Sequence, residues 1–127
     1  MSTKKQIIVS GGFDNIKARD LRFLEEASKL GELSVVLWPD ATLQKRSGQA
    51  PKFTQAERLY FLNAVRYVSR VIAADEAAGI DTLPANVCAD VWADCEITTS
   101  MARRQFAAEN HIAYRVFTAD DLNGFPE

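Results

Sequence analysis

Gln6-Ile-Ile-Val-Ser-Gly-Gly-Phe-Asp14 is the stretch that decides the fold. A short apolar run that breaks into a glycine pair suits a buried strand ending in a tight turn. From Asp20 onward the apolar positions Leu21, Leu24, Ala27 and Leu30 recur at helical spacing, with charges between them and Gly31 placed as a stop. Strand, glycine turn and helix are therefore predicted in immediate succession.

The same alternation continues along the chain. Leu33–Trp38 reads as a second buried strand closed by Pro39-Asp40, and residues 39–53, with three basic residues and two prolines, read as a long loop without periodicity. Thr54-Gln-Ala-Glu57 has the form of a capping box, which predicts a helix through Ala56, Leu59, Leu62 and Val65. Arg70–Ala73, Ala89–Ala93 and Ala113–Phe117 supply three more strands, with a helix over residues 99–110 before the last. Strands alternating with helices imply a mainly parallel five-stranded sheet with helices on both faces, a doubly wound α/β architecture. No repeat, low-complexity tract or linker divides the chain, so residues 1–127 are expected to form one domain.

Composition narrows the function. The 127 residues are 47% hydrophobic and 25% charged, an ordinary globular balance. Fifteen basic residues against 17 acidic ones leave a net charge of −2, which provides no global field to attract nucleic acid or an anionic membrane. No apolar run reaches the ~20 residues of a membrane span, and the polar start leads directly into a strand, so a cytoplasmic protein is expected. Cys88, Cys95 and the single His111 cannot assemble a disulfide framework or a zinc site.

Sheets of this class bind ligands beyond the carboxyl ends of their strands. Ser10-Gly-Gly-Phe-Asp14 joins the first strand to the first helix, where backbone amides and the helix dipole favour an anion. A glycine-pair turn alone serves equally well as a plain turn. It is neither a dinucleotide fingerprint nor a P-loop.

Taken together, Ile7-Ile-Val-Ser-Gly-Gly-Phe-Asp14, Leu21-x-x-Leu24-x-x-Ala27-x-x-Leu30-Gly31, Glu57-Arg58 and Ala64-Val-Arg-Tyr-Val68-x-x-Val71-Ile72 resemble the cytidylyltransferase-like nucleotidyltransferases. The likeness is to glycerol-3-phosphate cytidylyltransferase and the heptose-1-phosphate adenylyltransferases, and it continues through Ala89-Asp-Val-Trp-Ala-Asp94 to Asn123-Gly-Phe125. It implies a Rossmann-like sheet, a homodimer, and transfer of a nucleotidyl group from CTP or ATP to a phosphorylated small molecule, commonly with magnesium. It also implies nucleotide or phosphate contacts at Ser10, Gly11, Gly12, Phe13, Asp14, Arg58, Arg66 and Asp94, and a dimer face around Tyr67, Val68 and Val71.

The family signature His-x-Gly-His here reads Lys17-Ala18-Arg19-Asp20. Attack on an α-phosphate builds negative charge that fixed donors must stabilise, and one lost donor costs about 3–4 kcal/mol. Lys17 offers a point charge on a flexible stem in place of the first imidazole. Asp20 meets the phosphates with like charge, a repulsion of order 4 kcal/mol at ~4 Å and an effective dielectric near 20. Its other readings are a helix-start carboxylate or a ligand for phosphate-bridging magnesium. The sequence thus supports a divergent binding protein with transfer weakened or lost, an active nucleotidyltransferase with a rebuilt phosphate site, or a dimeric scaffold.

Overall fold

The computed structural model describes residues 4–76 and 79–125. The elements run β1 (Gln6–Gly11), α1 (Ala18–Ser28), β2 (Glu32–Leu37), α2 (Asp40–Ser47), α3 (Gln55–Asn63), β3 (Arg70–Ala73), β4 (Val91–Cys95), α4 (Met101–Glu109) and β5 (Ala113–Phe117). The five strands form one sheet in the order β3-β2-β1-β4-β5, and every pairing is parallel. This is the Rossmann-like α/β architecture the alternation implies.

Both faces of the sheet are covered, which explains why β1 and β2 read as unbroken apolar runs. Ile7, Val9, Leu33, Val35 and Leu37 join Phe23, Leu24 and Ala27 of α1 and Leu62 of α3 on one face. Ile8, Val36 and Trp92 meet Ala107 and Phe106 of α4 on the other. Trp92 is fully buried and takes edge contacts from Phe106 and Tyr114 at 6.0 and 5.7 Å.

Several boundaries differ from the sequence reading for local reasons. The stretch 39–53 is not all loop, because α2 occupies Asp40–Ser47 and ends at Gly48 in the left-handed conformation, φ 79°. None of its residues is buried, so no apolar period marks it. β4 runs from Val91 rather than Ala89, and it begins only after the Asp90 carboxylate has accepted the Gln6 amide at 2.7 Å. On α1 the buried face is Arg19, Phe23, Leu24 and Ala27, which leaves Leu21 and Leu30 partly exposed. Gly31 allows close approach: a Cβ there would lie 2.4 Å from the Lys5 carbonyl. Tyr67, Val68 and Val71, expected at a dimer face, are half-buried against the chain's own core.

Among the described residues, no helix is long and apolar enough to cross a membrane.

Candidate functional site

In the order β3-β2-β1-β4-β5 the chain reverses direction across the sheet between β1 and β4, and a crevice at such a switch point is where doubly wound sheets take ligands. A cavity of about 460 Å³ lies there. The turn Ser10–Asn15 forms one wall, and Asp94, Cys95, Ile97, Thr98, Ser100 and Arg103 form another. Asp20 and Phe23 of α1, Trp38 after β2, Arg46 of α2 and the pair Ile80-Asp81 complete it.

The glycine turn is braced from outside. Gly12 lies against α2 so closely that a Cβ would fall 2.4 Å from Leu43 Cδ2, so the Leu43 side chain would have to shift for any larger residue. Phe13 occupies the left-handed region at φ 49°, a strained state for a side chain of this size. Asp14 holds the next loop by accepting from the amides of Lys52 (2.6 Å) and Phe53 (2.8 Å). Arg58 is fully buried and donates to the carbonyls of Gly12 (2.8 Å), Trp38 (2.9 Å) and Phe53 (3.0 Å), while its Nη2 pairs with Asp40 at 2.6 Å. One guanidinium therefore joins the ends of β1 and β2 and the starts of α2 and α3.

The opposite wall is a buried polar network. Asp94 is 3% exposed and accepts from Arg103 Nη1 at 2.8 Å, the Tyr114 hydroxyl at 2.5 Å, the Cys95 amide at 2.9 Å and the Thr98 hydroxyl. Burial, followed by the bond to Asp94, pushes the Tyr114 hydroxyl up to about 12. Arg103 also lies over Trp92 at 5.3 Å and Trp38 at 5.9 Å. The Arg46 guanidinium lies over the Trp38 ring at 5.2 Å, and among the described residues its side chain makes no hydrogen bond or ion pair.

Two curated relatives align with part of the chain. An FAD synthase of Pyrococcus horikoshii is 40% identical over 70 residues, 54% of this chain and 47% of that protein. An FAD synthase of Pyrococcus abyssi is 37% identical over 68 residues, 53% of this chain and 46% of that one. The matched stretch is thus about half the length of either relative. These likenesses support the cytidylyltransferase-like superfamily. A scan against protein-family models finds no match.

Solved structures share the fold. A lipopolysaccharide core biosynthesis protein from Thermoplasma volcanium superposes with a TM-score of 0.75 at 24% identity, over 91% of this chain and 96% of its own. A protein of unknown function from Archaeoglobus fulgidus superposes with a TM-score of 0.65 at 13% identity, over 96% of this chain and 94% of its own.

Of the residues singled out in the sequence, Ser10, Gly11, Gly12, Phe13, Asp14, Asp20 and Asp94 meet around the cavity. Lys17, Arg58 and Arg66 do not line it. Lys17 is exposed at the start of α1, where its amide donates to Asp20 Oδ2 at 2.9 Å. Arg66 is exposed in a separate groove with Leu21, Tyr67 and Phe125, where it lies over the Tyr67 ring at 5.0 Å and donates to its hydroxyl. Ser100 caps α4, where its hydroxyl accepts from the Arg103 amide at 3.1 Å.

The sequence reading missed Trp38, Asp81 and Arg103 as wall residues. Among the described residues no three of His, Cys, Asp and Glu gather to hold a metal ion. Both oxygens of Asp14 and of Asp94 are already engaged.

Proposed function

We propose that the cleft binds a nucleotide, CTP or ATP, or a phosphorylated small molecule, and that ordinary nucleotidyl transfer is weakened or lost. The observation that carries this reading is the pair at the start of α1. Asp20 presents a carboxylate to the cavity, and Lys17 does not line it. A wall that once needed two donors for developing phosphate charge thus has an anion and no cation from that motif. The glycine turn, the strained Phe13 and the bracing by Asp14 and Arg58 keep the shape of an anion-accepting turn.

One observation favours retained activity. Arg46 brings to the cavity a cation that makes no ion pair among the described residues, a candidate replacement for the missing histidines. A homodimer belongs to the proposal, with the groove of Leu21, Tyr67 and Phe125 on its contact face.

Calorimetric titration with CTP, ATP and glycerol 3-phosphate, with and without magnesium, tests the binding. Because two relatives are FAD synthases, FAD joins the panel. Pyrophosphate release from the same mixtures tests the transfer. Binding without release supports the proposal, release at ordinary enzymatic rates replaces it with the active reading, and no binding ends both.

A further inference from the structure

The far wall of the cleft holds a carboxylate that neither the glycine turn nor the strand pattern points to. Asp81 lines the cavity beside Asp94 and Ser100. Its Oδ1 accepts from Ser100 Oγ at 3.0 Å and from Arg103 Nε at 3.3 Å. Arg103 is itself 3% exposed and cannot swing away, because it also donates to Asp94 at 2.8 Å and to the Ile80 carbonyl at 2.9 Å. The Asp81 carboxylate is therefore held in one orientation by a buried partner.

Both of these bonds end on Oδ1. Among the described residues Oδ2 accepts no hydrogen bond, and the side chain is 39% exposed. The other carboxylates of the cavity are engaged differently: Asp14 and Asp94 use both oxygens, and Asp20 caps the Lys17 amide. Asp81 is the carboxylate of this wall that is both fixed and still able to accept.

A fixed acceptor disfavours phosphate, so it suits the part of a ligand that carries donors. Arg103 is shared between Asp81 at 3.3 Å and Asp94 at 2.8 Å, so the three side chains keep a net negative charge, and the open Oδ2 is a charged acceptor for donors such as hydroxyls. We propose that Asp81 is a specificity-determining residue that reads vicinal hydroxyls on the non-phosphate part of the ligand. The ribose diol of a nucleotide and the hydroxyls of a phosphorylated polyol share this chemistry. The inference rests on the binding function proposed above.

The test compares matched ligands by calorimetry on wild type and Asp81→Asn: CTP against 2′,3′-dideoxy-CTP, ATP against 2′,3′-dideoxy-ATP, and glycerol 3-phosphate against propyl phosphate. Wild type should prefer the hydroxylated member of at least one pair by about tenfold or more, the range expected for a hydrogen bond to a charged group. The pair that shows the preference identifies the source of the diol. Asp81→Asn retains an oxygen for Ser100 and Arg103, and it should weaken the hydroxylated member alone. A missing wild-type preference is read on the unaltered protein, so it overturns the assignment even if the variant fails to fold. Equal affinities within every pair for wild type, or a variant that weakens both members equally, would overturn the assignment and leave the binding function standing. If no ligand of the panel binds wild type, both fall together.

Discussion

Arg58 donates to the carbonyl of Gly12 at 2.8 Å from a side chain with no exposure, across 46 positions of sequence. The turn thereby gains a brace that belongs to another helix. The guanidinium has three carbonyls and the Asp40 carboxylate around it, so truncation strands several acceptors at once. Arg58→Ala is expected to lower unfolding free energy by about 3 kcal/mol or more, read as a shift of the urea midpoint. Arg58→Lys should recover only a part of this, because an ammonium cannot reproduce the planar fork. Hydrogen exchange at residues 11–14 should rise in both variants.

The contrast between Arg58 and Thr54 shows what the sequence displays. The capping box at Thr54 and Glu57 is legible because its partners lie three residues apart, and the structure has the Glu57 amide donating to the Thr54 hydroxyl at 3.2 Å. The burial of Arg58 is illegible, since its acceptors Gly12, Trp38, Asp40 and Phe53 come from the turns after β1 and β2, the start of α2 and the loop before α3. Likewise Arg103 sits in a Met-Ala-Arg-Arg run that reads as a solvated helix start, and its partners Asp81 and Asp94 lie 22 and 9 positions away. The strand-turn-helix beginning was readable because a buried parallel strand needs a continuous apolar run. α2 was not, because its anchors are Asp40 on Arg58 and Leu43 on Gly12 rather than an apolar stripe.

Tyr114 gives a pH signature of the buried network. Its hydroxyl is raised from 10.0 to about 12, first by burial and then by its bond to Asp94. A folded-state value above the unfolded one means that the contribution to stability is complete below about pH 10 and is lost as pH rises toward 12. Wild type should therefore lose denaturant resistance between pH 10 and 12 more steeply than Tyr114→Phe. Absorbance titration at 295 nm, subtracting the variant from wild type, should isolate one ionisation near the upper end of that window.

The groove of Leu21, Tyr67 and Phe125 gives the homodimer its test. Leu21 is 38% and Phe125 40% exposed, a patch that a second copy would cover. Sedimentation at micromolar concentration is expected to give twice the 14.1 kDa chain mass. Leu21→Glu should return the monomer with its circular dichroism unchanged. A wild-type mass of one chain would remove the dimer from the proposal.

The start of α1 carries the decisive experiment on chemistry. Asp20 Oδ2 accepts the Lys17 amide at 2.9 Å, and the same side chain lines the cavity. Asn at this position retains an oxygen for the amide and removes the charge, so the helix start survives and the phosphate repulsion disappears. The side chain is only half-buried, so screening reduces the ~4 kcal/mol of a close pair to a fraction of that value. Asp20→Asn is expected to bind CTP or ATP about tenfold more tightly than wild type, both with magnesium and with a chelator, and to shift more at low salt. Had Asp20 been a magnesium ligand, the sign would reverse in the magnesium arm alone. Unchanged affinity in every condition would mean that the phosphates do not approach α1, and the carboxylate would then be a helix-start group with no part in binding.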